Sequence, residues 1–175
     1  MKVMDPEQDK RTSFLDCLVI NLTQAAKTRN LALKSKAGAS STAEGRKADL
    51  AVDDDAETSW KAASSGDQWL ELQFTSPITV NEFKLMEDKS STIDRYAIQY
   101  YDDKAKKWTT CFNGMHIKRE FVAPIVSRRT RGVRLVVKSS KSGLPAIAEF
   151  AAYNNTGGKP FSDPKGIAAR NTYGQ

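Results

Sequence analysis

Histidine occurs once in this chain of 175 residues, at His116, and cysteine twice, at Cys17 and Cys111. A zinc centre or a Ser-His-Asp triad of the usual kind therefore has almost nothing to draw on. The two cysteines lie far apart in sequence and form no metal-ligand spacing; buried free thiols are the default reading, a disulfide the other. With 10 glycines and 6 prolines the chain is neither fibrous nor broadly disordered. No apolar run approaches the roughly 18 residues a membrane span needs. Met1, Lys2, Val3 and Met4 run into Asp5, Pro6 and Glu7 with no apolar stretch behind them. The start thus reads as the edge of a piece of a longer protein or as a cytosolic terminus, without a signal peptide. No internal repeat is visible.

The chain is long enough for one domain with extra residues at its ends, and long enough to bury a real core. Lysine and arginine number 27 against 21 acidic residues, a net charge of +6. The excess is concentrated at Lys104, Lys106 and Lys107, at Lys118 and Arg119, and at Arg128, Arg129, Arg131 and Arg134. Such clusters attract anionic partners or form a solvated face. The arginine run has no aromatic residues interleaved with it, so nucleic acid is not an expected partner.

The pattern divides the chain in three. In residues 1–29, Phe14, Leu15, Leu18, Val19, Leu22, Ala25 and Ala26 form a stripe at helical spacing. Ser13 or Thr12 stands at the N-cap and Asp16 in the first turn, so the segment predicts one amphipathic helix. Residues 30–154 change to short alternating runs at 31–34, 69–74, 79–86, 96–101, 108–112, 119–122, 132–138 and 146–153. Leu70, Leu72 and Phe74 share one face, as do Phe83 with Leu85, and Val133 with Leu135 and Val137. This period of two predicts an all-β antiparallel sandwich or barrel. Residues 155–175 have the composition of a polar linker or tail.

Between the runs lie loops of small polar residues at 37–45, 61–67 and 87–94. They carry no exposed Trp, Phe or Leu spikes, so membrane insertion is not expected. Trp60, Trp69 and Trp108 sit on strand patterns and are expected in the core. His116 follows Asn113 and Gly114, a turn signal, and is expected exposed and idle. Arg131 and Arg134 are expected to brace loop carbonyls or stay solvated.

The most unusual segment is Leu50-Ala51-Val52-Asp53-Asp54-Asp55, followed by Thr58 and Trp60. Three consecutive carboxylates repel one another and favour a turn. Such a turn is either solvated or gathers its oxygens round a hard cation such as calcium, and the spacing does not match an EF-hand loop.

From Asn30 onward the motifs come in a recognisable order. The acidic turn ending in Thr58 and Trp60 is followed by Gln68-Trp69-Leu70-Glu71-Leu72, by Leu85-Met86-Glu87 and by Ile93-Asp94-Arg95-Tyr96. Lys107-Trp108, Arg131-Gly132-Val133-Arg134 and Pro145-Ala146-Ile147-Ala148-Glu149-Phe150 complete the series. This region resembles the discoidin domain, also called coagulation factor V/VIII type C, and the overlapping family 32 carbohydrate-binding modules. The nearest likeness is to the modules appended to bacterial α-L-fucosidases and related exo-glycosidases.

The resemblance implies a galactose-binding-like, eight-stranded jelly-roll β-sandwich, here preceded by one α-helix. It implies a structural calcium ion held by the Leu50 carbonyl, Asp53, Asp55, Thr58, the Ala148 carbonyl and Glu149. Asp54 stands where relatives usually have glycine. It implies a sugar site on loops at one end, with Glu44, Arg46, Lys61, Glu87 and Asp88 as the candidate contacts. Lys61, Ser64 and Thr92 replace the His, aromatic and Arg of galactose-binding members, which argues against galactose itself. The functional expectation is a non-catalytic module that tethers a glycoside hydrolase to glycan, in the periplasm, at the cell surface or secreted. A structural or protein-interaction domain without a sugar ligand is the other reading.

Overall fold

Buried residues alternate with more exposed ones along much of Gln68–Glu87, Thr92–Asp102 and Glu120–Ser142, while the run from Ala146 to Ala152 is buried throughout, within residues 29–155, which the structure, a computed structural model, describes. The elements are β1 (Lys36–Ala39), a 3-10 turn (Ala48–Ala51), β2 (Trp60–Lys61), β3 (Gln68–Glu87), β4 (Thr92–Asp102), β5 (Lys107–Met115), β6 (Glu120–Ser142) and β7 (Ala146–Tyr153). Every pairing is antiparallel. The helix read over residues 13–28 and the tail beyond residue 155 lie outside the described residues.

Two long strands make the sandwich. β3 and β6 pair from Gln68↔Val137 to Gln73↔Gly132, lose register, and pair again from Ile78↔Thr130 to Met86↔Glu120. On the first side of this break the pair is flanked by β1 and by β4 with β5 beyond. On the other side it is flanked by β7, which carries β2. Thus one layer is β1-β3-β6-β4-β5 and the second is β6-β3-β7-β2, with β3 and β6 common to both. The resulting fold is a galactose-binding-like jelly-roll sandwich.

The eight runs do not map one to one onto the seven strands, because two pairs of runs merge, one run is a turn, and β1 and β2 form outside the runs. Runs 69–74 and 79–86 are two halves of β3, and runs 119–122 and 132–138 are two parts of β6. The intervening Thr75, Ser76 and Pro77 interrupt the hydrophobic pattern without ending the strand, because proline is tolerated at a bulge. Residues 31–34 form a turn instead of a strand, with Lys34 at φ 57.

Leu70 and Leu72 from one layer and Phe83 and Leu85 from the other are fully buried in one cluster with Trp60, Leu135, Val137 and Phe150. Phe83 and Phe150 meet at 5.7 Å between ring centroids. Burying each such side chain contributes about 1.5–3 kcal/mol. Asn113 and Gly114 lie inside β5, correcting the turn expected there. A Cβ at Gly114 would collide with the ring of Tyr96 on the paired strand, so glycine here makes room for a buried aromatic.

Candidate loop-end site

The end of β3 at Glu87, the start of β7 at Ala146 and the short β2 bring three loops together. Lys61 N–H donates to the Arg46 carbonyl at 3.2 Å, and Ala43 N–H to the Lys61 carbonyl at 2.8 Å, so the loop containing Glu44 and Arg46 lies along β2. Arg46 Nε donates to the Ser59 carbonyl at 3.1 Å and Nη2 to Asp88 Oδ2 at 2.7 Å; Nη2 also contacts the Ser59 hydroxyl. Ser59 Oγ donates to the same Asp88 oxygen at 2.7 Å. Asp88 Oδ1 accepts the amide and hydroxyl of Ser90 at 2.8 and 2.6 Å, an Asx turn that shapes residues 88–91. Lys61 Nζ donates to Ser90 Oγ at 3.3 Å.

Burial pushes the Asp88 carboxyl upward, but the Ser90 and Ser59 hydroxyls, the Ser90 amide and Arg46 outweigh it and hold it well below the usual carboxylate range. The side chain is therefore an anion at any ordinary pH. Arg46, Lys61 and Asp88 converge on residues 88–90, and Glu44 is exposed on the adjoining loop. Glu87 does something else. It is buried, Oε1 accepts the Ile93 N–H, and burial raises its pKa against the effect of that amide. It braces the loop from beneath. Ser59 and Ser90 complete the network; as ordinary serines in loop sequence they carried no signal.

The acidic corner lies nearby. Asp54 adopts φ 64, the left-handed backbone that glycine adopts freely and Asp tolerates. Its N–H donates to Glu149 Oε2 at 3.3 Å, joining the corner to β7. Thr58 Oγ1 lies 2.8 Å from Asp53 Oδ2, 3.1 Å from the Asp55 carbonyl and 3.3 Å from the Leu50 carbonyl. One hydroxyl has one hydrogen, so it satisfies only one of these three acceptors at a time. The Asp55 carboxylate accepts the Glu57 N–H at 2.9 Å, and the Asp55 carbonyl, which faces the Thr58 hydroxyl, also accepts the Thr58 N–H at 3.2 Å. Ala148 sits in a bulge, skipped between Met86↔Glu149 and Glu87↔Ile147.

Glu149 is buried, and burial together with the charges of Asp54 and Asp53 pushes its pKa up to about 7, against the opposing Asp54 amide and Asn30. Asn30 Nδ2 donates to Glu149 Oε1 at 3.3 Å, and its Oδ1 accepts the Ala32 and Ala152 N–H groups at 2.9 and 3.2 Å. Among the described residues no three His, Cys, Asp or Glu side chains gather closely enough to hold a metal by themselves. The corner instead offers two carboxylates, Asp53 and Glu149, with a hydroxyl and backbone carbonyls, an all-oxygen set that fits a hard cation.

Elsewhere the expectations need correction. Trp60 is core, but Trp69 and Trp108 are half-exposed on the outer face of the first layer. Arg134 lies between them, its guanidinium carbon 4.8 Å from the Trp69 ring centroid and 4.2 Å from that of Trp108. It also pairs with Glu71 at 2.6 Å rather than bracing loop carbonyls. His116 is half-buried at φ 53 with Nδ1 3.3 Å from Asp94 Oδ1. The Cys111 thiol donates to the Ile98 carbonyl at 3.4 Å, and burial pushes its pKa up to about 12, so it is chemically quiet.

A two-layer antiparallel jelly roll with a polar loop cluster beside an acidic corner defines a class of β-sandwich modules. The family model of the F5/8 type C domain matches residues 36–150, and the chain belongs to that family. Among solved structures, chitosan-binding module 1 from a chitosanase/glucanase of Paenibacillus sp. IK-5 is similar at 27% identity and TM-score 0.67, over 73% of this chain and 100% of that one. The family 32 carbohydrate-binding module of Clostridium perfringens NanJ, solved with galactose, is similar at 17% identity and TM-score 0.62, over 68% and 93%. An enzyme from Bacteroides thetaiotaomicron assigned as an alpha-L-fucosidase aligns at 18% identity and TM-score 0.64, over 72% of this chain and 28% of that one. No curated protein sequence matches the chain.

Proposed function

We propose that this domain is a non-catalytic carbohydrate-binding module whose loop-end cluster of Arg46, Lys61 and Asp88, flanked by Glu44, grips the hydroxyls of a sugar. The observation that carries this reading is the preorganised pairing of Arg46 with Asp88, 2.7 Å apart, at the edge of three loops. Fixed donors and acceptors of this kind recognise polar ligands at little ordering cost. Similarity to chitosan-binding and family 32 modules supports saccharide as the ligand class. Attached to a glycoside hydrolase such as an α-L-fucosidase, the module keeps the active site near glycan by raising effective concentration. It works in the periplasm, at the cell surface or as part of a secreted protein.

Calcium is part of the proposal. The Leu50, Asp55 and Ala148 carbonyls, the Asp53 and Glu149 carboxylates and Thr58 would hold it. When bound, the ion supplies a positive centre that neutralises Glu149 and ties the corner to β7. These residues fix the loops in place and take no part in any reaction.

A second reading, a structural or protein-interaction domain without sugar, is favoured by one observation. Both Asp88 oxygens already carry internal hydrogen bonds. A glycan array with fucose, galactose, N-acetylhexosamine and chito-oligosaccharide epitopes, run with and without chelator, separates the two. Calcium-dependent retention of any of these supports the module; absence of binding to all of them supports the structural reading.

A further inference from the structure

The opposite end of the sandwich carries a second, chemically different surface. β4 runs 11 residues from Thr92 to Asp102, so its far end lies about 35 Å from the loop cluster. There Thr130 Oγ1 lies 2.9 Å from the Tyr101 carbonyl and 2.8 Å from the Gly132 carbonyl, bringing together two basic runs distant in sequence. One is the β4–β5 turn with Lys104, Lys106 and Lys107; the other is Arg128, Arg129 and Arg131 on β6. Among the described residues none of these six cations lies within ion-pair distance of a carboxylate. Asp102 spends its Oδ1 on the amides of Lys104 and Ala105, at 2.9 and 3.1 Å, which shapes the turn.

Beside this patch lies a groove of about 400 Å³, lined by Phe74, Tyr101 and Trp108 together with Gln73, Asp103 and Arg131. Its volume falls in the range of small-molecule sites. Gly132 permits its narrowness, because a Cβ there would press to 3.2 Å from the Trp108 ring. Aromatic surface suits the C–H faces of a sugar ring, while the amide, carboxylate and guanidinium suit its hydroxyls. Rim cations without a carboxylate partner suit fixed negative charge, although Arg128 lies over the Tyr100 ring, 5.5 Å from its centroid. The basic rim repels a polymer of protonated amino sugars.

We propose that this groove and its basic rim form a second saccharide site, specific for an acidic polysaccharide bearing carboxylate or sulfate groups. It stands independently of the loop-end site. The test is affinity electrophoresis of the full chain in gels containing polygalacturonate, dextran sulfate or neutral dextran, with a competition arm of duplex DNA. Retardation by polygalacturonate or dextran sulfate but not by dextran is expected, and which of the two acts distinguishes a carboxylate from a sulfate ligand. Lys106→Ala with Arg131→Ala, both exposed positions, is expected to weaken retardation about tenfold or more. Trp108→Ala is expected to do likewise and Trp108→Phe to restore it, while Arg46→Ala at the other end leaves it unchanged. Equal retardation by neutral dextran, no loss in the double variant, or competition by DNA as strong as by the acidic polymers would overturn the proposal.

Discussion

Asp88 and Glu149 show how two carboxylates in one loop end acquire opposite properties. Asp88 gathers hydroxyls, an amide and Arg46 and is held anionic; Glu149 is buried beside Asp53 and Asp54 and is pushed towards neutrality. For Asp88 the folded pKa is depressed, so its contribution to stability is present above the ordinary value of 3.8 and is lost as pH falls through the lower folded value. With calcium held saturating at each pH, the Asp88 contribution to saccharide affinity, measured by calorimetry, is therefore expected to be flat from pH 7 to 4 and to fail only in stronger acid. Arg46→Ala removes charged hydrogen bonds to Asp88 and is expected to weaken binding about tenfold or more.

Glu149 has the reverse sign. Its folded pKa, about 7, exceeds the ordinary 4.5, so its stability contribution is complete below 4.5 and is lost as pH rises to about 7. In chelator, Glu149→Gln is expected to raise the melting temperature at pH 8 by removing a buried charge. With calcium about 100-fold above its dissociation constant the parent chain is expected to gain about 2–3 kcal/mol, and the variant far less. Thermal melts with and without calcium check both. Equal calcium responses would remove Glu149 from the ligand set. Asn30, which contacts Glu149 and pins the start of the domain to β7, was visible in sequence only as the first residue of a resemblance.

At the scale of elements, the strands were legible because period-two alternation reports one-sided burial directly. The same alternation contained a warning about the tryptophans. If Leu70 and Leu72 face inward, Trp69 must face outward, and it does; ring size alone does not place a residue in the core. The continuity of β3 and β6 was hidden because polar and proline residues at the bend break the pattern although the chain remains paired. The Asn113-Gly114 pair imitated a turn because the space that Gly114 leaves for Tyr96 depends on a partner strand invisible to local reading. Loop geometry has one further anchor. Gly143 has φ 67, and a Cβ there would strike the Ser90 carbonyl oxygen. Gly143→Ala is therefore expected to displace residues 88–91 and cost about 1–3 kcal/mol, read by urea unfolding, with saccharide binding weakened in parallel.

For the whole molecule, the sandwich acts as a rigid spacer that presents different chemistry at its two ends. Family membership and fold were accessible from ordered motifs, since each marks a core or corner position that the architecture requires. The sites were less accessible because they arise from tertiary convergence. Arg46 and Asp88 lie 42 positions apart, and Lys104–Lys107 is brought near Arg128–Arg131 by pairings such as that of Thr130 with Tyr101. The central claim is that a saccharide docks on the loop end. Amide chemical-shift mapping of the calcium-loaded chain, titrated with the sugars retained on the array, tests it most directly. The account expects saturable shifts confined to residues 43–46, Lys61 and residues 87–91, and their disappearance in Arg46→Ala. Saturable shifts elsewhere with those amides unmoved, or no shifts with any sugar, would contradict it.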